Sequence, residues 1–106
     1  MNRELTVQEE EIFNLLKEVI DPELMVNIID LGLVYDVRVD ENLATIEIDM
    51  TLTSPGCPLG DVIMEDVEQV IIRSLQDFQI KINLVWEPMW TLDRLTQEGK
   101  EALGRT

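Results

Sequence analysis

Histidine is absent from this chain of 106 residues, and cysteine occurs once. Those two shortages exclude a good deal of chemistry. A closed tetrahedral metal site draws about four ligands from cysteine and histidine, and an iron–sulfur cluster is normally held by several thiolates. One chain therefore cannot hold either tightly by itself. Protease-type cysteine catalysis lacks its histidine base. A single cysteine closes no internal disulfide, so nothing points to an oxidising compartment. Positive charge is also scarce: 8 Lys and Arg stand against 22 Asp and Glu, a net charge of −14. A polyphosphate backbone or an anionic membrane surface would be repelled, which argues against nucleic-acid and membrane partners. No apolar run approaches the roughly 20 residues of a membrane span. Residues Met1 to Thr6 lack the apolar stretch of a secretory signal. The expectation is a cytoplasmic protein folded as one domain over residues 1–106.

What is present is strongly patterned. Thr6-Val7-Gln8-Glu9 has the form of a capping box. Ile12, Leu15, Leu16, Val19 and Ile20 follow at helical spacing, and Pro22 predicts a stop at Asp21. Asp21 to Gly32 read as a loop with a short turn near Asn27–Asp30. Leu33, Tyr35, Val37 and Val39 alternate with Val34, Asp36 and Arg38. After a turn at Asp40-Glu41-Asn42, Ala44, Ile46, Ile48, Met50 and Leu52 alternate strictly with polar residues. Two adjacent strands of this kind predict a hairpin. Leu59, Ile63, Val67, Val70, Ile71 and Leu75 predict a second amphipathic helix, and Phe78 to Trp86 a third strand. Thr96 to Leu103 predict a short helix, with Gly104 just past its end. The order is α-β-β-α-β plus a small C-terminal helix. The predicted class is α+β, a two-layer domain with one small sheet and both main helices on its apolar face. The second and third strands, joined through a helix, should run parallel.

The chemistry concentrates in Thr51-Leu52-Thr53-Ser54-Pro55-Gly56-Cys57-Pro58-Leu59, which links the cleanest strand to the second helix. Pro58 suits a first helical position, which makes Cys57 the expected N-cap. A thiol there would face unpaired amides and the positive helix end, and both favour the thiolate. The blander reading of a lone cysteine is a small buried hydrophobe; the tight Pro-Gly-Cys-Pro loop argues against it. Asp21, Glu23 and Asp30 are the carboxylates available for proton transfer, although turn and cap chemistry is the favoured account of them. Trp86 is expected to end the core face of the third strand. Trp90 reads either as part of a contact surface or as a pin for the tail.

Four segments taken together resemble a known family: Asp21-Pro22-Glu23-Leu24, Asp30-Leu31-Gly32-Leu33-Val34-Tyr35, Thr51 to Leu59, and Val85-Trp86-Glu87-Pro88-Met89-Trp90. Their order and spacing are similar to those of the small iron–sulfur assembly domain proteins that include SufT and PaaD. The chain lacks the cysteine-rich extension of the PaaD type, so the resemblance is to the SufT-like branch. Met25 and Met89 stand where the family usually has glycine and proline. Met25 is therefore expected to forgo a positive φ.

The resemblance implies an accessory or carrier role in maturing iron–sulfur proteins, without catalysis of its own. Its partners would be the assembly machinery and apo client proteins. Cys57 would be the metal-contacting residue, a transient cluster ligand or transfer thiol. Asp21, Glu23, Asp30, Thr53 and Ser54 would form the surrounding cofactor-binding loops. A lone thiolate means that any cluster is held briefly, and a homodimer could supply a second one. The rival readings are a thiol-dependent oxidoreductase or transferase with Cys57 as nucleophile, and a non-catalytic interaction module. The Cys57 and Asp30 loops should be neighbours, because the end of one hairpin strand lies beside the start of the other.

Overall fold

The fold was obtained as a computed structural model that describes residues 4–53 and 59–104. Ser54 and Cys57, and with them the centre of the predicted thiol loop, lie outside the described residues. The architecture is α+β. Helices α1 (Val7–Leu15), α2 (Gly60–Ser74) and α3 (Gln97–Ala102) accompany strands β1 (Ile20–Asp21), β2 (Val26–Asn27), β3 (Val34–Asp40), β4 (Thr45–Met50) and β5 (Gln79–Leu84). The larger sheet has the order β3-β4-β5. The β3–β4 pair is antiparallel and the β4–β5 pair parallel. Ile46, Ile48 and Met50 on β4 meet Ile12 and Leu16 from the first helical segment, and Ile63, Val67 and Ile71 from α2, in one buried core.

Helix α1 starts where its capping box places it. The Thr6 amide donates to Glu9 Oε1 (3.0 Å), and the Glu9 amide donates to Thr6 Oγ1 (3.1 Å). Glu9 Oε2 also accepts from the Val39 amide (3.0 Å), which explains how a carboxylate stays buried on a helix facing β3. The α-helix ends earlier than Pro22 suggested. A 3-10 turn, Leu16–Glu18, follows at once, because Ile20 and Asp21 are needed to pair with Asn27 and Val26. The expected loop thus contains a second, two-stranded sheet, β1–β2. It also delivers Val26, Ile28, Ile29, Leu31 and Leu33 to the core.

Two local expectations are corrected. Met25 does adopt a positive φ, +58°, at the turn between β1 and β2. Its amide donates to the Asp21 carbonyl (2.7 Å), so the closed turn dictates the backbone. On β3 a register shift between Val34 and Asp36 breaks the alternation. Leu33 and Val34 are both buried, while Tyr35 turns away from the core.

Candidate functional site

The β4 exit leads to the thiol loop, and β3 frames it. Met50 pairs with Val34, and the Thr51 amide donates to the Leu33 carbonyl (2.8 Å). The end of β4 therefore lies beside Leu33 and Val34, while the expected closeness of Cys57 to Asp30 falls on a residue outside the described ones. Thr51 and Leu52 are buried, and Thr53 is half-buried; the next described residue is Leu59. Gly60 presses against Leu52: a Cβ at position 60 would stand 2.6 Å from Leu52 Cδ1. A side chain at position 60 would have to push the Leu52 methyl aside.

The helix cap differs from the expected one. The N-cap of α2 is Leu59, with no side chain capping the first turn, and the first helical bond runs from the Ile63 amide to the Leu59 carbonyl (3.1 Å). Cys57 precedes that cap by two positions. Cys57 therefore does not cap α2, and its own surroundings lie outside the described residues. Gly60, the first helical residue, stands against Leu52, so α2 begins where the chain meets the end of β4.

The acidic candidates separate into distinct local jobs. Asp21 is buried, and its Oδ1 accepts from the amides of Glu23 (2.8 Å) and Leu24 (3.2 Å), closing the β1–β2 turn. Glu23 is exposed on that turn. Asp30 is a hub. Its Oδ2 accepts from Asn27 Nδ2 (2.7 Å), its Oδ1 from Thr96 Oγ1 (3.0 Å), and its carbonyl from the Thr96 amide (2.9 Å). Its own amide donates to Asn27 Oδ1 (2.9 Å). Thr96 in turn caps α3 by accepting from the Gly99 amide (3.0 Å).

The tail is thus strapped across the β3 entry. Trp90 Nε1 donates to the Leu31 carbonyl (2.6 Å), and Tyr35 Oη donates to the Pro88 carbonyl (2.7 Å). The Arg94 guanidinium sits 4.6 Å from the centre of the Tyr35 ring. Gly32, at φ +76°, leaves room for the Arg94 carbonyl, which a Cβ there would strike. Gly99 passes equally close to the Asp30 carbonyl. Trp90 therefore pins the tail. Trp86, expected on the core face, is 40% exposed beyond the end of β5. Asn27, Thr96 and Arg94 were not singled out in the sequence. The one available signal was Thr96 itself, a cap residue three positions before a glycine.

On the open face of the larger sheet, Arg38 binds Asp36 (2.9 Å) and Glu47 (3.3 Å), and grips Asp49 with both guanidinium nitrogens (2.7 and 2.9 Å). Asn83 Nδ2 donates to Glu47 and Asp49. The guanidinium holds the Asp49 carboxyl below its usual range. Asn83 first, then Arg38, does the same for Glu47. These polar groups bind each other. Among the described residues no three acidic or cysteine side chains converge to hold a metal ion.

The family model described as iron-sulfur cluster assembly protein matches residues 9–84. The chain belongs to this family. It is 44% identical over 95 residues to the Fe-S protein maturation auxiliary factor YitW of Bacillus subtilis, covering 90% of this chain and 92% of that one. It is 45% identical over 86 residues to the Fe-S protein maturation auxiliary factor SufT of Staphylococcus aureus, covering 81% and 97%. A domain of unknown function from Bacillus anthracis superposes with a TM-score of 0.85 at 42% identity, covering 92% of each chain. A conserved hypothetical protein of Thermotoga maritima gives 0.75 at 35% identity, covering 98% and 99%. Two of the segments that carry the family resemblance, Asp30–Tyr35 and Val85–Trp90, are the two that the strap bonds together.

Proposed function

We propose that this protein is a non-enzymatic accessory factor in iron–sulfur cluster assembly, acting on apo client proteins with Cys57 as transient ligand or transfer thiol. The observation that carries this reading is membership of the iron–sulfur cluster assembly family across residues 9–84, with auxiliary maturation factors as relatives over nearly the whole chain. The scaffold suits the role. The segment bearing Cys57 is anchored at Leu52 and Gly60, and the strapped Asp30–Leu33 segment stands beside its start. Binding function concentrates on segments held by a rigid base. The cluster is cargo. With one thiol per chain, its remaining iron positions are filled by a second chain, a small thiol or the client. Soluble assembly proteins and their apo clients are the partners this reading names.

Anaerobic reconstitution with iron and sulfide tests it. Wild type should take up iron in a labile, chromophoric form at less than one cluster per chain, and should pass it to an apo iron–sulfur enzyme. Cys57→Ser should fold normally and do neither. Equal iron uptake and transfer by the two proteins would remove Cys57 from the mechanism. Turnover of a thiol substrate by wild type alone would favour the oxidoreductase reading.

A further inference from the structure

The two edges of the larger sheet are treated differently. On β3 the amides of Val37 and Val39 turn away from β4, each to a side-chain acceptor. Side chains guard that edge: Asp36 Oδ1 accepts from the Val37 amide (2.9 Å) and Glu9 Oε2 from the Val39 amide (3.0 Å). On β5 the Gln79 and Val85 amides donate to β4, to the carbonyls of Ala44 and Met50. By the period of a strand, Ile80, Ile82 and Leu84 direct their amides and carbonyls outward. No turn or loop acceptor meets those three amides among the described residues, and no strand lies beyond β5 in the sheet. The strand carries no proline and no bulge, and its register with β4 runs unbroken through six pairs. Natural sheets usually blunt such an edge; here Lys81 is the single cation on it.

The side chains at this edge are also incompletely covered. Ile80 and Ile82 are half-buried, Leu84 is 38% exposed, and Trp86 continues beyond them at 40%. An added strand would cover that row with its own alternate side chains. We infer that the free edge of β5 takes an extended segment of a protein partner, paired backbone to backbone, with alternating apolar residues and cations at its ends. Charge selects this occupant. Exposed Asp77 and Glu87 stand at the two ends of β5, and the chain carries a net −14. A second copy pairing here would bring an equal negative charge against the first. The inference rests on strand geometry and is independent of Cys57, so the two proposals fail separately.

The test uses a short synthetic peptide with lysine at each end and valine alternating with threonine between. Its controls are a twin N-methylated throughout its central residues and a twin ending in glutamate. Binding is followed by NMR on the full chain, with amide exchange read at Ile80, Ile82 and Leu84. Wild type should bind the lysine peptide and slow exchange at those three amides. The N-methylated twin, which keeps the charge but loses the donors, should bind at least about tenfold more weakly. Ile82→Pro removes one outward donor and leaves the bonds of residues 81 and 83 to β4 in place. It should weaken the lysine peptide by a similar factor while keeping the wild-type circular dichroism. Should that variant not fold, the N-methylated twin decides alone. Absence of binding, binding insensitive to N-methylation, or equal binding of the glutamate twin would overturn the inference. So would protection of the same amides that rises with protein concentration in the absence of peptide, since that would make a second copy the occupant.

Discussion

Asp30→Ala should loosen the tail as well as the turn that Asp30 closes. The substitution removes two side-chain bonds, from Asn27 Nδ2 and from Thr96 Oγ1. Hydrogen bonds to a charged acceptor contribute roughly 1.5–3 kcal/mol when buried. Asp30 is half-buried, so solvent screening brings each to about 1 kcal/mol and the loss to about 2 kcal/mol. Thr96→Val removes the same Asp30–Thr96 bond and also the cap on the Gly99 amide, itself worth about 1 kcal/mol, for a similar total of about 2 kcal/mol. The Asp30–Thr96 bond is common to both. The double variant should therefore lose about 3 kcal/mol, not about 4, a coupling of about 1 kcal/mol. Urea unfolding of the four proteins measures this, and amide exchange in α3 shows where the loss falls. Both single variants should raise exchange at residues 99–103 more than in β4. A coupling below about 0.3 kcal/mol would mean that the two sites act independently. The carboxylate would then have no part in holding the tail.

Gly32→Ala should cost about 2 kcal/mol or more in urea unfolding, because the position has φ +76° and the new methyl would strike the Arg94 backbone; a loss under about 0.5 kcal/mol would contradict the strap's close approach. Met25→Gly should stabilise by roughly 0.5 kcal/mol, relief of a positive φ outweighing the added freedom of the unfolded chain. A lower melting temperature would show that the exposed Met25 side chain contributes more than its backbone costs. Acid titration of stability tests the open sheet face. Arg38 depresses the Asp49 carboxyl, so folding favours its ionised form; that contribution is complete above the usual carboxylate value near pH ~4 and is lost as pH falls through the folded value. Urea midpoints for wild type should accordingly fall more steeply below pH ~4 than those for Asp49→Asn, and parallel curves would dissolve the Arg38–Asp49 link.

The elements legible in the sequence are those whose signals are local. The Thr6–Glu9 box starts α1, the strict alternation from Thr45 to Met50 makes β4, and Thr96 caps α3 just where a short helix was read. The apolar spacing from Ile63 to Ile71 buries one side of α2, and the helical link forces β5 parallel to β4. Each depends on residues a few positions apart, so propensity and period suffice. The family was legible too, because its segments keep their order and spacing along the chain.

Other features depended on partners distant in sequence. Ile20 and Asp21 leave the helix only because Val26 and Asn27 are there to pair with them, and the loop between is drawn inward by a core it helps to fill. Helix α2 begins at Gly60, packed against Leu52, with Leu59 as an N-cap that supplies no side-chain bond, so no cap signal near Cys57 marks its start. A carboxylate in a loop serves a turn more often than chemistry, and the sequence near Asp30 does not say which partners it holds. Its partner Thr96, 66 positions away, is visible only in the fold. The outward amides of β5 belong in the same group. A strand's period tells which residues face the core, but only the order of strands in the sheet tells which strand is left with an open edge.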